Sequence, residues 1–146
     1  MMNAAPAAPA LEIAASIDTT ADPARVWALW SDVAAWTSWD HALDAVTLDG
    51  PFAPGTPGTL AVHGRPPLAF TLTAVDTGRG YSDETPFPGG TVRLEHRLEP
   101  LGDGRVRVTH RARVEGSGPV AASIVDQIRQ SLGSAVATLV RVAETA

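Results

Sequence analysis

Apolar and polar residues alternate over residues 11–19, with Leu11, Ile13, Ala15 and Ile17 on one side and Glu12, Ser16 and Asp18 on the other. A period of two marks a strand with one buried face. The period changes after Asp22. Val26, Trp27, Trp30 and Val33 recur at helical spacing behind Asp22-Pro23, a pair that supplies an N-cap acceptor and a first-turn proline. A short helix is predicted there, continuing through AAWTSWD at 34–40 as a helical turn or lid. Residues 43–85 then break into short runs at GPFAPGTPG (50–58), GRPP (64–67) and GRG (78–80), which read as turns between antiparallel strands. Two longer strands are predicted at 91–99 and 105–115, joined by PLGDG at 100–104, whose glycines supply the positive φ that a tight hairpin needs. Finally, Ser117-Gly118-Pro119 opens a segment to Glu144 in which Ala121, Ile124, Val125, Ile128, Leu132, Ala135, Val136, Leu139 and Ala143 recur every three or four residues. At ~1.5 Å per residue this helix is about 38 Å long, enough to cross a whole domain.

The order is thus a strand, short helices, five or six strands and a long helix. That is an α+β arrangement in which one amphipathic helix covers one face of an antiparallel sheet. At 146 residues the chain suits one domain, expected over 11–146. The opening MMNAAPAAPA, residues 1–10, has neither a basic segment nor a long apolar run; it reads as a disordered tail rather than a secretory signal. No stretch is apolar for long enough to span a membrane, so a cytoplasmic protein is expected. Charge and cysteine content narrow the chemistry. A net charge of −5 with scattered arginines argues against nucleic acid, and the absence of cysteine removes disulfides and thiolate chemistry.

The pattern resembles the START-like, or SRPBCC, superfamily with its helix-grip (Bet v 1-like) fold, and within it the bacterial polyketide cyclase/dehydrase-like proteins. The resemblance covers residues 11–144. It is carried by ASIDTTADPARVWALWSDVAAWTSWD (15–40), LDGPFAPGTPGTL (48–60), LEHRLEPLGDGRVRVTH (94–110) and the closing helix. It implies a curved sheet around the C-terminal helix, with a cavity between them. It leaves function open, because such folds serve carriers, cyclases and chaperone activators alike.

Two of the four histidines fall on inward stripes: His96 with Val92, Leu94 and Leu98, and His110 with Val106, Val108, Ala112 and Val114. If both stripes face inward, opposed residues have numbers with an even sum. A sum of 206 sets Glu95 against Arg111 and Glu99 against Arg107, whereas 204 sets arginine against arginine at both places. The first register is expected, despite leaving Arg93 facing Arg113, and it puts His96 opposite His110. Such a pair is either a general acid and base or a polar point in an apolar cavity. A metal site would need a third ligand that the pattern does not supply.

By the resemblance, Trp36, Trp39, Asp40 and His41 lie over the cavity mouth, where they either touch a ligand or, for the tryptophans, fill the junction of helices and sheet as Trp27 and Trp30 do. Phe70, Tyr81 and Phe87 are candidates for the cavity wall, the Tyr81 hydroxyl either orienting a ligand carbonyl or reaching solvent. Ile128 and Leu132 are the candidates from the helix. Gly133, inside that helix, suggests the close approach of another group. Apart from Asp40 no inward acidic pair is placed, and there is no phosphate loop or nucleophile elbow, so neither a cofactor nor hydrolysis is expected. The leading expectation is binding of a small, mostly apolar molecule, aromatic or polyketide-like, anchored by His96 and His110. A cyclase or dehydratase using the same pair, and a protein-interaction role, stand as alternatives; the oligomeric state is left open.

Overall fold

The computed structural model describes residues 10–145. Seven strands within them form one antiparallel sheet: β1 (Ala10–Thr19), β2 (Leu43–Leu48), β3 (Pro57–Val62), β4 (Leu68–Asp76), β5 (Gly80–Phe87), β6 (Gly90–Pro100) and β7 (Val106–Gly116). Their order is β1-β7-β6-β5-β4-β3-β2, so β2 to β7 form a meander and the first strand pairs with the last. Between β1 and β2 lie α1 (Pro23–Ser31), a 3-10 turn (Val33–Ala35) and the single turn α2 (Trp36–Trp39); α3 (Pro119–Glu144) follows β7. The α+β, helix-grip architecture is the one expected. β1 begins at Ala10, which pairs with Glu115, one residue before the expected start; the rest of the predicted tail, residues 1–9, lies outside the described residues.

Local chemistry sets the element ends as the sequence indicates. Asp22 caps α1 by accepting from the Ala24 backbone N–H at 2.9 Å. Gly102 and Gly104 take φ of 84° and 82° in the β6–β7 turn, a region closed to most side chains. The β6–β7 register has a sum of 206, with His96 opposite His110 and Arg93 opposite Arg113. The charges pair differently from the expectation: Arg107 holds Asp18 of β1 at 2.8 Å rather than Glu99, Glu95 lies 3.8 Å from Arg93 of its own strand rather than on Arg111, and Arg113 binds Glu12 of β1 at 3.1 Å and Glu115 of β7 at 2.7 Å. Those carboxylates relieve the facing arginines.

The buried side chains fall into two clusters. The larger joins Val26, Trp30, Phe70, Leu72, Val108 and Leu139, all at most 1% exposed. The smaller joins Phe87, Val92 and Val114 to Ala121 and Ile124 at the start of α3. The middle turns of α3 cross the gap between them. Gly133 corrects an expectation: it is exposed, and an added Cβ would meet only the Ala15 Cβ at 4.0 Å, so nothing approaches it closely. Gly133→Ala should therefore stabilise the protein by about 1 kcal/mol, the difference in helix propensity, as measured by urea denaturation.

Candidate ligand-binding site

The gap between the clusters is a cavity of about 120 Å³. Ile124, Ile128, Leu132 and Ala135 of α3 form one side, and Leu60, Leu68, Val92 and Leu94 of the sheet form the other. An apolar hole of roughly 150 Å³ takes up benzene, so this somewhat smaller space sets an upper limit of about one ring. Trp39 and Asp40 lie at its α2 end. Arg65, from the β3–β4 turn, reaches across to α3, where its Nε donates to Gln127 at 2.6 Å and a terminal nitrogen to Ser123 at 2.5 Å.

His96 and His110 both line the cavity, with ring centroids 4.8 Å apart. Both are almost fully buried, at 7% and 2% exposure. Burial disfavours a charged imidazole: it pulls His96 down to about 3, against a raising contact with the Tyr81 carbonyl, and takes His110 well below 6.5, with His96 adding to the effect. Both rings are neutral at pH 7. Among the described residues no third His, Cys, Asp or Glu joins them.

Of the other expected contacts, Trp39, Asp40, Ile128 and Leu132 reach the cavity wall. Trp36, Phe70, Tyr81, Phe87 and His41 do not. Trp36 is 3% exposed, packs on Phe70 and Tyr81, and donates its Nε1–H to the Trp30 carbonyl at 2.8 Å. Trp39 donates likewise to the Leu29 carbonyl at 3.2 Å. These carbonyls lie in the last turn of α1, where the helix has no partner for them, so both indoles serve as caps. Phe70 fills the larger cluster and Phe87 the smaller. His41 is exposed on an adjoining surface groove with His63 and Gln130. Tyr81 meets neither expectation for its hydroxyl. Its ring stacks on His96 at 3.9 Å and 7°, and its hydroxyl is sealed in protein with no hydrogen-bond partner among the described residues.

One buried group escaped the sequence reading. Asp83 sits on the inward face of β5 between Tyr81 and Thr85 and is 2% exposed. Burial first, then the charges of Asp40 and Glu84, push its carboxyl up to about 8, so it is mostly protonated at pH 7. Asp40, which also accepts from the Ala42 backbone N–H at 3.1 Å, is raised by burial as well. An inward acidic pair thus exists after all. Its signal was the strand alternation that puts 81, 83, 85 and 87 on one face.

A curled antiparallel sheet gripping one long helix, with an apolar cavity between them, defines a START-like, or SRPBCC-type, protein. The chain belongs to the family described as polyketide cyclase/dehydrase and lipid transport, whose model matches residues 10–144. No protein of curated function matches it significantly. Among solved structures it is similar to the Zhui aromatase/cyclase from Streptomyces sp. R1128, with a TM-score of 0.78 and 12% identity over 93% of this chain and 94% of that one. Ara h 8.0201 gives 0.70 and 16% over 94% and 100%, and norcoclaurine synthase from Thalictrum flavum 0.69 and 11% over 93% and 87%. At these identities the likeness is one of fold.

Removing the sealed hydroxyl with Tyr81→Phe should raise stability by about 1 kcal/mol, because a buried donor without a partner costs about that much. Asp83 has a folded value of about 8 against 3.8 unfolded, so the folded chain holds the extra proton between these limits and loses stability as pH rises through them. Asp83→Asn should therefore stabilise by a few kcal/mol at pH 8 and by nothing below pH 4, read from urea midpoints across a pH series. His96 works the other way: its folded value lies below the unfolded 6.5, so its contribution is present above pH 6.5 and fades as pH falls toward 3.

Proposed function

We propose that this protein binds a small, mostly apolar molecule between the sheet and α3, with His96 and His110 as its polar anchor. The observation that carries the reading is a ring-sized apolar cavity whose wall contains two neutral imidazoles. A hydrocarbon surface contributes about 25 cal/mol per Å² on leaving water, while a few polar points fix orientation. Membership of a family of cyclases, dehydrases and lipid carriers is consistent with this reading.

The cyclase or dehydratase reading draws on the family name and takes the same two imidazoles as acid and base. Proton transfer is most efficient when the catalytic group titrates near the working pH. A His96 that titrates at about 3 is a weak base, and so favours holding a ligand over moving its protons. Trp39, in the cavity wall, supplies a fluorescent reporter. Titration with single-ring aromatic compounds should give saturable quenching, and native mass spectrometry should show a one-to-one complex. Ile128→Trp, which fills the cavity from the helix, should weaken binding by about tenfold or more with little change in thermal midpoint, since Ile128 is only half buried. Unaltered affinity in that variant would place the ligand elsewhere.

A further inference from the structure

The hydrogen bonds behind the two imidazoles fix where each proton sits. Trp30 Nε1 lies 3.3 Å from His110 Nε2. An indole nitrogen can only donate, so His110 Nε2 presents its lone pair and the proton of the neutral ring is on Nδ1. His96 Nδ1 lies 3.3 Å from the Tyr81 carbonyl oxygen, which can only accept. His96 therefore carries its proton on Nδ1 and leaves Nε2 as a lone pair. The two remaining nitrogens are opposite in sense, a donor on His110 and an acceptor on His96. The rings stand at 75° to each other. Neither free nitrogen is among the sealed, unpartnered polar atoms, which are those of Thr73, Tyr81 and Thr85.

We propose that this pair selects a neutral ring bearing a hydroxyl, a phenol or an enol, whose oxygen accepts from His110 Nδ1–H and whose hydrogen is donated to His96 Nε2. The inference rests on the cavity being a ligand site and adds the chemical class of the ligand. A hydroxyl is the smallest group that both gives and takes a hydrogen bond at one atom. An ether or ketone accepts only, and gives His96 Nε2 no donor in a mostly apolar wall. A carboxylate also accepts only and carries a charge into apolar surroundings, which is costly when nothing neutralises it. The ring itself lies against Leu94, Ile128 and Leu132.

Calorimetric titration of the intact protein at pH 7 with phenol, anisole, toluene and benzoate tests the selection. Phenol should bind at least about tenfold more tightly than anisole or toluene, the equivalent of one or two neutral hydrogen bonds, and benzoate should bind most weakly. Equal affinities for phenol and toluene would overturn the inference while leaving the cavity reading intact; no binding by any of the four would overturn that reading too. Long-range ¹H–¹⁵N NMR of the imidazoles should show Nδ1 protonated in both rings, and a proton on His110 Nε2 would refute the assignment. In His96→Leu the preference for phenol over toluene should vanish while toluene still binds; a retained preference would refute the role of His96. The NMR measurement needs only the unaltered chain, so the assignment can be refuted even where that variant does not fold.

Discussion

One helix has to cover seven strands. Laid flat at about 4.8 Å between neighbours, the sheet would be about 29 Å wide, while a helix with its side chains is only about 10 Å across. The sheet can bury its apolar face only by curling around α3, against which β1, α1 and α2 also pack. Curling brings inward side chains together at the ends of α3, where the two apolar clusters form, and leaves space along its middle turns. The cavity is thus a consequence of covering a wide sheet with a narrow helix. Its position between Ile124 and Ala135 follows from where the two clusters stop.

The same enclosure sets the electrostatics. A dry interior disfavours charge, and the buried titratable groups move accordingly: His96 and His110 downward, Asp83 and Tyr81 upward. All four are held chiefly in their uncharged forms near pH 7. The charged side chains of β1, β6 and β7 pair instead on the outer face, as Arg107 does with Asp18. What remains inside is a set of neutral donors and acceptors, of which the two imidazoles are each fixed by a neighbour. Discrimination in such a site rests on matching hydrogen-bond sense and shape rather than on charge.

Much of this was legible in the sequence where a long periodic segment left one solution. The parity of two inward stripes, with the signs of Glu95, Glu99, Arg107 and Arg111, was enough to place His96 opposite His110. The period of α3 and the Asp22-Pro23 start of α1 were equally plain. Parity cannot tell an inward residue that meets the helix from one that meets the cavity. Tyr81 and Thr85 share a face of β5, yet Thr85 lines the cavity and Tyr81 stacks under His96, because curvature carries them to different depths. Asp83 lay on that face too. A carboxyl is rarely buried without a partner, so composition argued against what alternation indicated. The short strands β2 and β3 gave no period from which Leu60 could be assigned to the wall, and the alternation of Leu68, Phe70 and Leu72 in β4 did not separate Leu68, which lines the cavity, from the other two, which do not.

Trp30 links the fold to the site. It is fully buried, packs among Tyr81, His96 and His110, and spends its one N–H on His110 Nε2. Its own backbone carbonyl receives the Trp36 indole, so the end of α1, the α2 turn and the inner face of β7 are held by consecutive hydrogen bonds. Tyr81 completes the arrangement from β5, with its ring behind His96 and its carbonyl on His96 Nδ1. Groups that touch a ligand are useful only as far as the groups behind them fix their orientation, and here each imidazole has one nitrogen committed to the scaffold. The tautomers are therefore properties of the fold, set where α1 and β5 meet the β6–β7 hairpin, and they leave the cavity with one lone pair and one N–H.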